Sequence, residues 1–236
     1  MADFHTLATI RAKLNRDLDL EAEQFITAVE LTGYINEAID DAEAVIHGMF
    51  ADYFLTKDSL SLVSGTDAYV LPANIYANKI RRLMYSDGNR SYRVHRVKQL
   101  DILPNIQDDE YFRYVLENNS PGAAGIVQRF YPTPTKNESN IITRWYIRNA
   151  NRLVLETDIC DIPEFINYVY AHVKLSVAKK EKLGQDIQIA TQAKAEEHVL
   201  MEGTLYSLMD DEDNEVQKDF SAYTDFYLDD ENFFNY

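Results

Sequence analysis

The 236-residue sequence holds one cysteine, Cys160, with only eight glycines and six prolines. A single thiol excludes an intrachain disulfide framework and any Cys-rich zinc site, and such usage suits a reducing compartment. Cys160 is therefore expected to serve as a small apolar residue. The scattered glycines build no phosphate cradle: no Gly-rich loop, Gly-x-Ser-x-Gly elbow or His-Glu-x-x-His helix occurs. The five histidines, His5, His47, His95, His172 and His198, never stand three or four residues apart, the spacing that aims two imidazoles at one metal. Each is read as structural. No metal, cofactor or catalytic site is expected, and the chain is not read as an enzyme. Long apolar runs are also lacking. The longest uncharged stretches, Ala68 to Asn78 and Asn118 to Gln128, are eleven residues each and carry Pro. A membrane helix needs roughly 18 such residues. The start, Met-Ala-Asp-Phe-His, has Asp3 where an export signal is basic, and Arg11 and Lys13 interrupt any apolar region behind it. A chain that is neither exported nor membrane-bound is expected.

What is present is a foldable but acidic chain. Leu, Ile, Val and Phe make up 64 of 236 residues, above the roughly 20% below which a charged chain tends to stay disordered. The net charge is −16, which disfavours a surface-wide grip on nucleic acid or anionic lipid. The charge is uneven. Residues 1–58 carry twelve acids against four bases, whereas between Lys79 and Lys98 seven bases face Asp87 alone. From Leu205 to the end, ten acids face Lys218. Such asymmetry implies separate surfaces for separate partners or neighbouring copies.

Periodicity divides the chain further. From Thr27 to Phe54, Ile35, Ala38, Ile39, Ala42, Val45, Ile46, Met49, Phe50 and Tyr53 recur at three- and four-residue steps, which predicts a long helix. Thr27 with Glu30 fits a capping box. A shorter helix, about Leu7 to Leu18, precedes it. Ser59 to Val63 and Ala68 to Leu71 alternate around Ser-Gly-Thr-Asp, which predicts a hairpin. Further strands are placed at Ile80 to Tyr85, Tyr92 to Val97, Ile126 to Tyr131 and Ile141 to Ile147, with a short helix at Asp109 to Leu116. Asp161 is read as the cap of a helix with Pro163 in its first turn; Ile166, Val169, Tyr170, Val173 and Val177 form its buried stripe and Gly184 its stop. A second helix, about Asp186 to Met209, has a weak apolar stripe and is expected to be half buried, or buried against another chain.

Few constellations suggest chemistry. Glu43 with His47, and Lys194 with His198, share helical faces, an ordinary pairing in charged helices. Asp40-Asp41 and Glu196-Glu197 diverge by about 100° on a helix, so neither is a catalytic dyad. Arg81, Arg82, Arg90, Arg93 and Arg96, interleaved with Tyr85 and Tyr92, form a candidate basic interface. Contact with nucleic acid is one reading. An ion-paired strand surface, or a basic surface docking on an acidic neighbour, is preferred for a chain of charge −16. The C-terminus sets seven aromatics, Phe220, Tyr223, Phe226, Tyr227, Phe233, Phe234 and Tyr236, among Asp219, Asp225, Asp229, Asp230 and Glu231. Acids oppose collapse and rings invite docking, so an extended anchor for a partner is preferred over a segment packed on its own domain.

The order of several short motifs resembles a known family. Tyr34-Ile-Asn-Glu-Ala38 lies in the long helix. Ser61-Leu-Val-Ser-Gly-Thr-Asp-Ala-Tyr-Val-Leu-Pro-Ala-Asn74 comes next, then Arg129-Phe-Tyr-Pro-Thr-Pro134, Arg144-Trp-Tyr-Ile-Arg148 and Ile162-Pro-Glu-Phe-Ile-Asn-Tyr168. From about residue 5 to residue 205 the chain resembles the head-to-tail adaptor (connector) proteins of tailed bacteriophages; it departs in a longer stretch at Leu100 to Gly125 and a long acidic-aromatic C-terminus, both of which a large, many-ringed, podovirus-like phage tail would accommodate. The resemblance implies an α+β fold: a bundle of the long N-terminal and two C-terminal helices, a small antiparallel β region inserted in sequence, and an extended C-terminal tail. The expected boundaries are 1–58 for the N-terminal helices, 59–158 for the β region with a long insertion at 100–125, 159–209 for the C-terminal helices and 210–236 for the tail. It also implies a ring, typically dodecameric, between portal and tail. The expected partners are the portal protein, neighbouring copies and tail or further ring proteins, with DNA passing through the lumen without specific binding. The expected location is the virion's portal–tail junction, after assembly in the host cytoplasm. The alternative is an acidic module that binds a basic host or viral protein, as a DNA mimic.

Overall fold

The computed structural model describes residues 5–20, 25–97, 111–118, 125–182 and 184–223, with side chains described only up to residue 209. The chain divides into two compact units, one formed by Met1–Phe50 with Ala150–Tyr236, the other by Ala51–Asn149.

The first unit is helical. Helix α1 (Leu7–Asp17) starts at Thr6, whose hydroxyl accepts the Thr9 N–H, and buries Leu7, Ile10 and Leu14 at helical spacing. Helix α2 (Ala28–Met49) starts at a complete capping box: the Thr27 hydroxyl accepts the Glu30 N–H at 3.2 Å, and the Glu30 carboxylate accepts the Thr27 N–H at 3.0 Å. Two otherwise orphaned amides are thereby satisfied. Its buried stripe runs through Leu31, Ile35, Ala38, Ile39, Ala42 and Ile46. The helix ends five residues before the expected Phe54; Ala51–Phe54 form a single 3-10 turn in the other unit. Helix α3 (Ile166–Glu181) comes after a 3-10 turn at Pro163–Phe165. Asp161 does not cap it. Its carboxylate accepts the Asn151 N–H instead, at 3.2 Å. Nor does Gly184 stop it: Lys182 takes the left-handed conformation that ends the helix, and Gly184 opens the next. α3 buries Tyr168, Ala171, Leu175 and Ala178 beyond the expected stripe, so apolar residues surround it and it forms the unit's centre. Helix α4 (Gly184–Tyr223) continues well past the expected Met209.

The second unit is built of β-strands: β1 (Leu55–Leu62), β2 (Ala68–Val70), β3 (Ile75–Ser86), β4 (Ser91–Arg93), β5 (His95–Arg96), β6 (Arg113–Asn118), β7 (Ile126–Tyr131) and β8 (Glu138–Arg148). They form two four-stranded sheets, β1-β8-β3-β4 and β2-β7-β6-β5, antiparallel except for the short parallel pair β5–β6. Leu62, Leu83, Tyr85 and Ile142 from the first sheet pack against Tyr69, Tyr114 and Phe130 from the second, the alternation of a sandwich core.

Five expectations are corrected by this arrangement. The β part is not a small insert in a helical bundle: two full sheets make an α+β protein that is 45% helix and 29% strand. The tail is not extended from residue 210, because the α4 backbone stays helical to Tyr223. β1 and β2 do not form a hairpin. They join different sheets, β1 pairing with β8 and β2 with β7, so Ser-Gly-Thr-Asp carries the chain across the sandwich. The turn is held by Tyr69, whose hydroxyl receives the Val63 N–H at 2.8 Å and donates to the Thr66 carbonyl at 3.0 Å. Likewise 113–116, expected to be helical, belong to β6, which pairs with β7 and buries Tyr114 and Val115 in two different clusters. The strand expected at Tyr92 to Val97 is broken into β4 and β5 at Val94, whose side chain enters the core.

Candidate interaction surfaces

Among the described residues, no group of His, Cys, Asp or Glu is arranged to hold a metal ion. No helix there is long and apolar enough to cross a membrane. Cys160 is buried, and that burial pushes its thiol up to about 11. The groove of about 600 Å³ between α1, α3 and α4 is floored by Tyr170 and Ala171 and rimmed by mixed charge, including Lys13, Asp17, Lys174 and Glu181. Lys13 sits over the Tyr170 ring at 3.9 Å, and Lys174 pairs with Asp17 at 3.2 Å. These contacts hold helices together.

A dense polar cluster joins α2, α3 and α4. One oxygen of Asp41 accepts from the Tyr168 hydroxyl and from Lys194 Nζ at 2.7 Å, with His172 Nδ1 3.1 Å away. Partial burial alone would raise the Asp41 pKa, but the Lys194 and Tyr168 hydrogen bonds outweigh it and hold the group at about 2. Burial, then the Lys194 charge, lowers the His172 pKa, against the opposing pull of Asp41. Asp40 diverges from Asp41 to meet Arg152 at 2.6 Å. Lys194 and His198 do share a face, both lying against the Tyr168 ring. Glu43 Oε1 lies 3.1 Å from His47 Nε2, one helical turn on. The Asp41 cluster is a clasp between helices. The sandwich has its counterpart, in which Arg144, almost fully buried, makes two bonds to Asp58, at 3.0 and 2.6 Å, and one to Gln128 at 3.2 Å.

Of the five arginines read as a basic interface, Arg81 pairs with Asp52 at 2.6 Å and Arg90 lies 4.0 Å from Asp87. Arg82 lies over the Trp145 ring, 5.7 Å from its centroid. Arg93 and Arg96 are exposed on β4 and β5 without a carboxylate partner among the described residues. The five do not converge on one spot. Of the aromatic anchor, Phe220 and Tyr223 fall on the α4 backbone; Phe226, Tyr227, Phe233, Phe234 and Tyr236 lie outside the described residues.

Two faces were not read from the sequence. The outward side of α4 exposes Val199, Leu200 and Tyr206, each above 60%, opposite the side on which Met201 and Leu205 are buried. Alternating pairing in the first sheet places Lys57, Trp145 and Arg82 in one outward row, with Ser59, Thr143, Met84 and Arg93 in the next. The sheet signal lay in register, which no local window shows.

Among the described residues, the conspicuous features of this α+β chain are helix clasps and exposed faces, which suit contact with other proteins. The comparison with known families agrees: a family model described as SU10 adaptor protein matches residues 5–221. The chain belongs to this adaptor family and is a phage adaptor protein, a virion component that associates with other phage head and tail proteins. The family is structural. No curated protein matches the chain.

Proposed function

We propose that the chain is one subunit of a ring, dodecameric as the adaptor resemblance implies, that joins the portal to the tail and surrounds the exiting DNA. The observation that carries this reading is the family match over residues 5–221, which spans both units. The charge distribution supports it. Residues 51–149 hold thirteen bases and ten acids, net +3, which leaves −19 for the helical unit of a −16 chain. A ring that turned such helices toward its lumen would repel DNA, and a repelled polyanion slides where a bound one would stick. The aromatic residues from Phe220 to Tyr236 would act as an anchor on the portal or a neighbouring copy, as buried rings dominate interface energies. The basic arginines would serve protein contacts rather than nucleic acid. Solution mass of the full chain, alone and with its portal protein, tests the reading. A high-order complex supports it. A one-to-one complex with a basic protein instead identifies an acidic module that mimics DNA.

A further inference from the structure

Three cations that lack an ion-pair partner among the described residues stand together on one face of this acidic chain. Elsewhere the described bases are mostly matched: Arg129 with Asp67 and Glu117, Arg144 with Asp58, Arg152 with Asp40, Lys180 with Glu30. On the outward face of β1-β8-β3-β4, Lys57, Arg82 and Arg93 stand around Trp145 with no ion-pair partner among the described residues, and Leu55 beside them is 47% exposed. Ser59, Thr143 and Ser91 complete the face, and the two-residue alternation places no acid from these strands on it. It is basic, with an aromatic centre.

The outward side of α4 is its complement. Between residues 184 and 209 the helix carries four acids, Asp186, Glu196, Glu197 and Glu202, and one base, Lys194, which is turned inward to Asp41. Glu196 and Glu202 lie beside its exposed Val199, Leu200 and Tyr206 with no Lys or Arg of the helix among them, whereas Asp186, Ile189 and Glu197 line the groove shared with α1 and α3. An apolar strip flanked by acids matches an aromatic centre flanked by cations in both hydrophobicity and sign.

We propose that the outward face of the first sheet binds the outward face of α4 of a second copy of this chain. Because the two faces differ, the contact is heterologous, and a heterologous contact repeats from copy to copy into a ring when its rotation closes. Three cations are too few to hold nucleic acid firmly at physiological salt, since that affinity scales with the number of phosphates neutralised. They suffice to orient a protein contact whose centre is apolar. The inference rests on the ring reading and names the surfaces that would build it.

The test uses two full-length populations. One carries Ser59→Cys on the exposed sheet face, the other Ser207→Cys on the exposed α4 face, and both are treated with a short bis-maleimide. Buried Cys160 gives little background. The mixed crosslink should exceed either homotypic crosslink several-fold. Adding Arg82→Glu with Arg93→Glu to the first population should lower the yield about ten-fold. Glu196→Arg with Glu202→Arg in the second should restore it. Random or homotypic crosslinks, no product, or loss without rescue would overturn the proposal. So would duplex DNA that blocks the crosslink and shifts the emission of Trp145, the one tryptophan. If rings form on the portal while this crosslink fails, only the assigned surfaces fall. If the crosslink forms and no ring does, the ring reading falls.

Discussion

At the residue scale, a few polar contacts decide how the two units hold together internally. Asp41 serves Tyr168, His172 and Lys194 at once, so Asp41→Asn should cost about 1–2 kcal/mol at pH 7, a discounted figure because the site is partly exposed. Chemical denaturation checks it. The pH dependence has a definite sign. Asp41 is held at about 2, below an unfolded carboxylate, so its stabilisation is complete above about pH 4 and is lost as pH falls toward 2. His172 is lowered mainly by burial, so the fold prefers its neutral form. Its contribution is present above about pH 6.5 and is lost as pH falls below that. Wild-type and Asp41→Asn curves should therefore converge near pH 2, and His172→Gln should flatten the loss that begins below pH 6.5. In the sandwich, Asp58→Ala would leave Arg144 almost buried without its carboxylate and should cost about 3 kcal/mol, read as a lowered denaturation midpoint. None of these contacts was legible in the sequence, because Asp41–Lys194 and Asp58–Arg144 join residues far apart in the chain.

At the element scale, local signals and long-range pairing parted company. The capping box at Thr27 and Glu30 was legible because both partners lie within one turn. So were β7 and the centre of α3, whose patterns are short and apolar. The hairpin reading of 59–71 failed because Tyr69, not strand pairing, closes that turn. α4 looked weakly amphipathic for a physical reason: apolar residues on two opposite sides cancel in a periodic reading. Those sides predict different mutational effects. Leu205→Asp, on the buried side, should unfold the helix packing, at a cost of about 3 kcal/mol or more. Leu200→Asp, on the exposed side, should shift stability by no more than about 0.5 kcal/mol while weakening self-association. Paired thermal melts and sedimentation would separate them. Removing 219–236 should leave a folded chain that assembles poorly; a large drop in Tm with assembly intact would place that segment in the subunit's own core.

For the whole molecule, the net charge is a difference between unlike halves, +3 in the sandwich and −19 in the helices. Opposite signs on separate units favour contact between copies over a grip on nucleic acid, while the total keeps any assembled lumen hostile to a bound polyanion. Family membership across residues 5–221 gives this arrangement its setting in the phage particle. The central claim is ring assembly at the portal. Its most direct test is electron microscopy of the full chain mixed with its purified portal protein. The account predicts a closed ring seated on one end of the portal with an open central channel. Particles showing bare portals beside free monomers would contradict it.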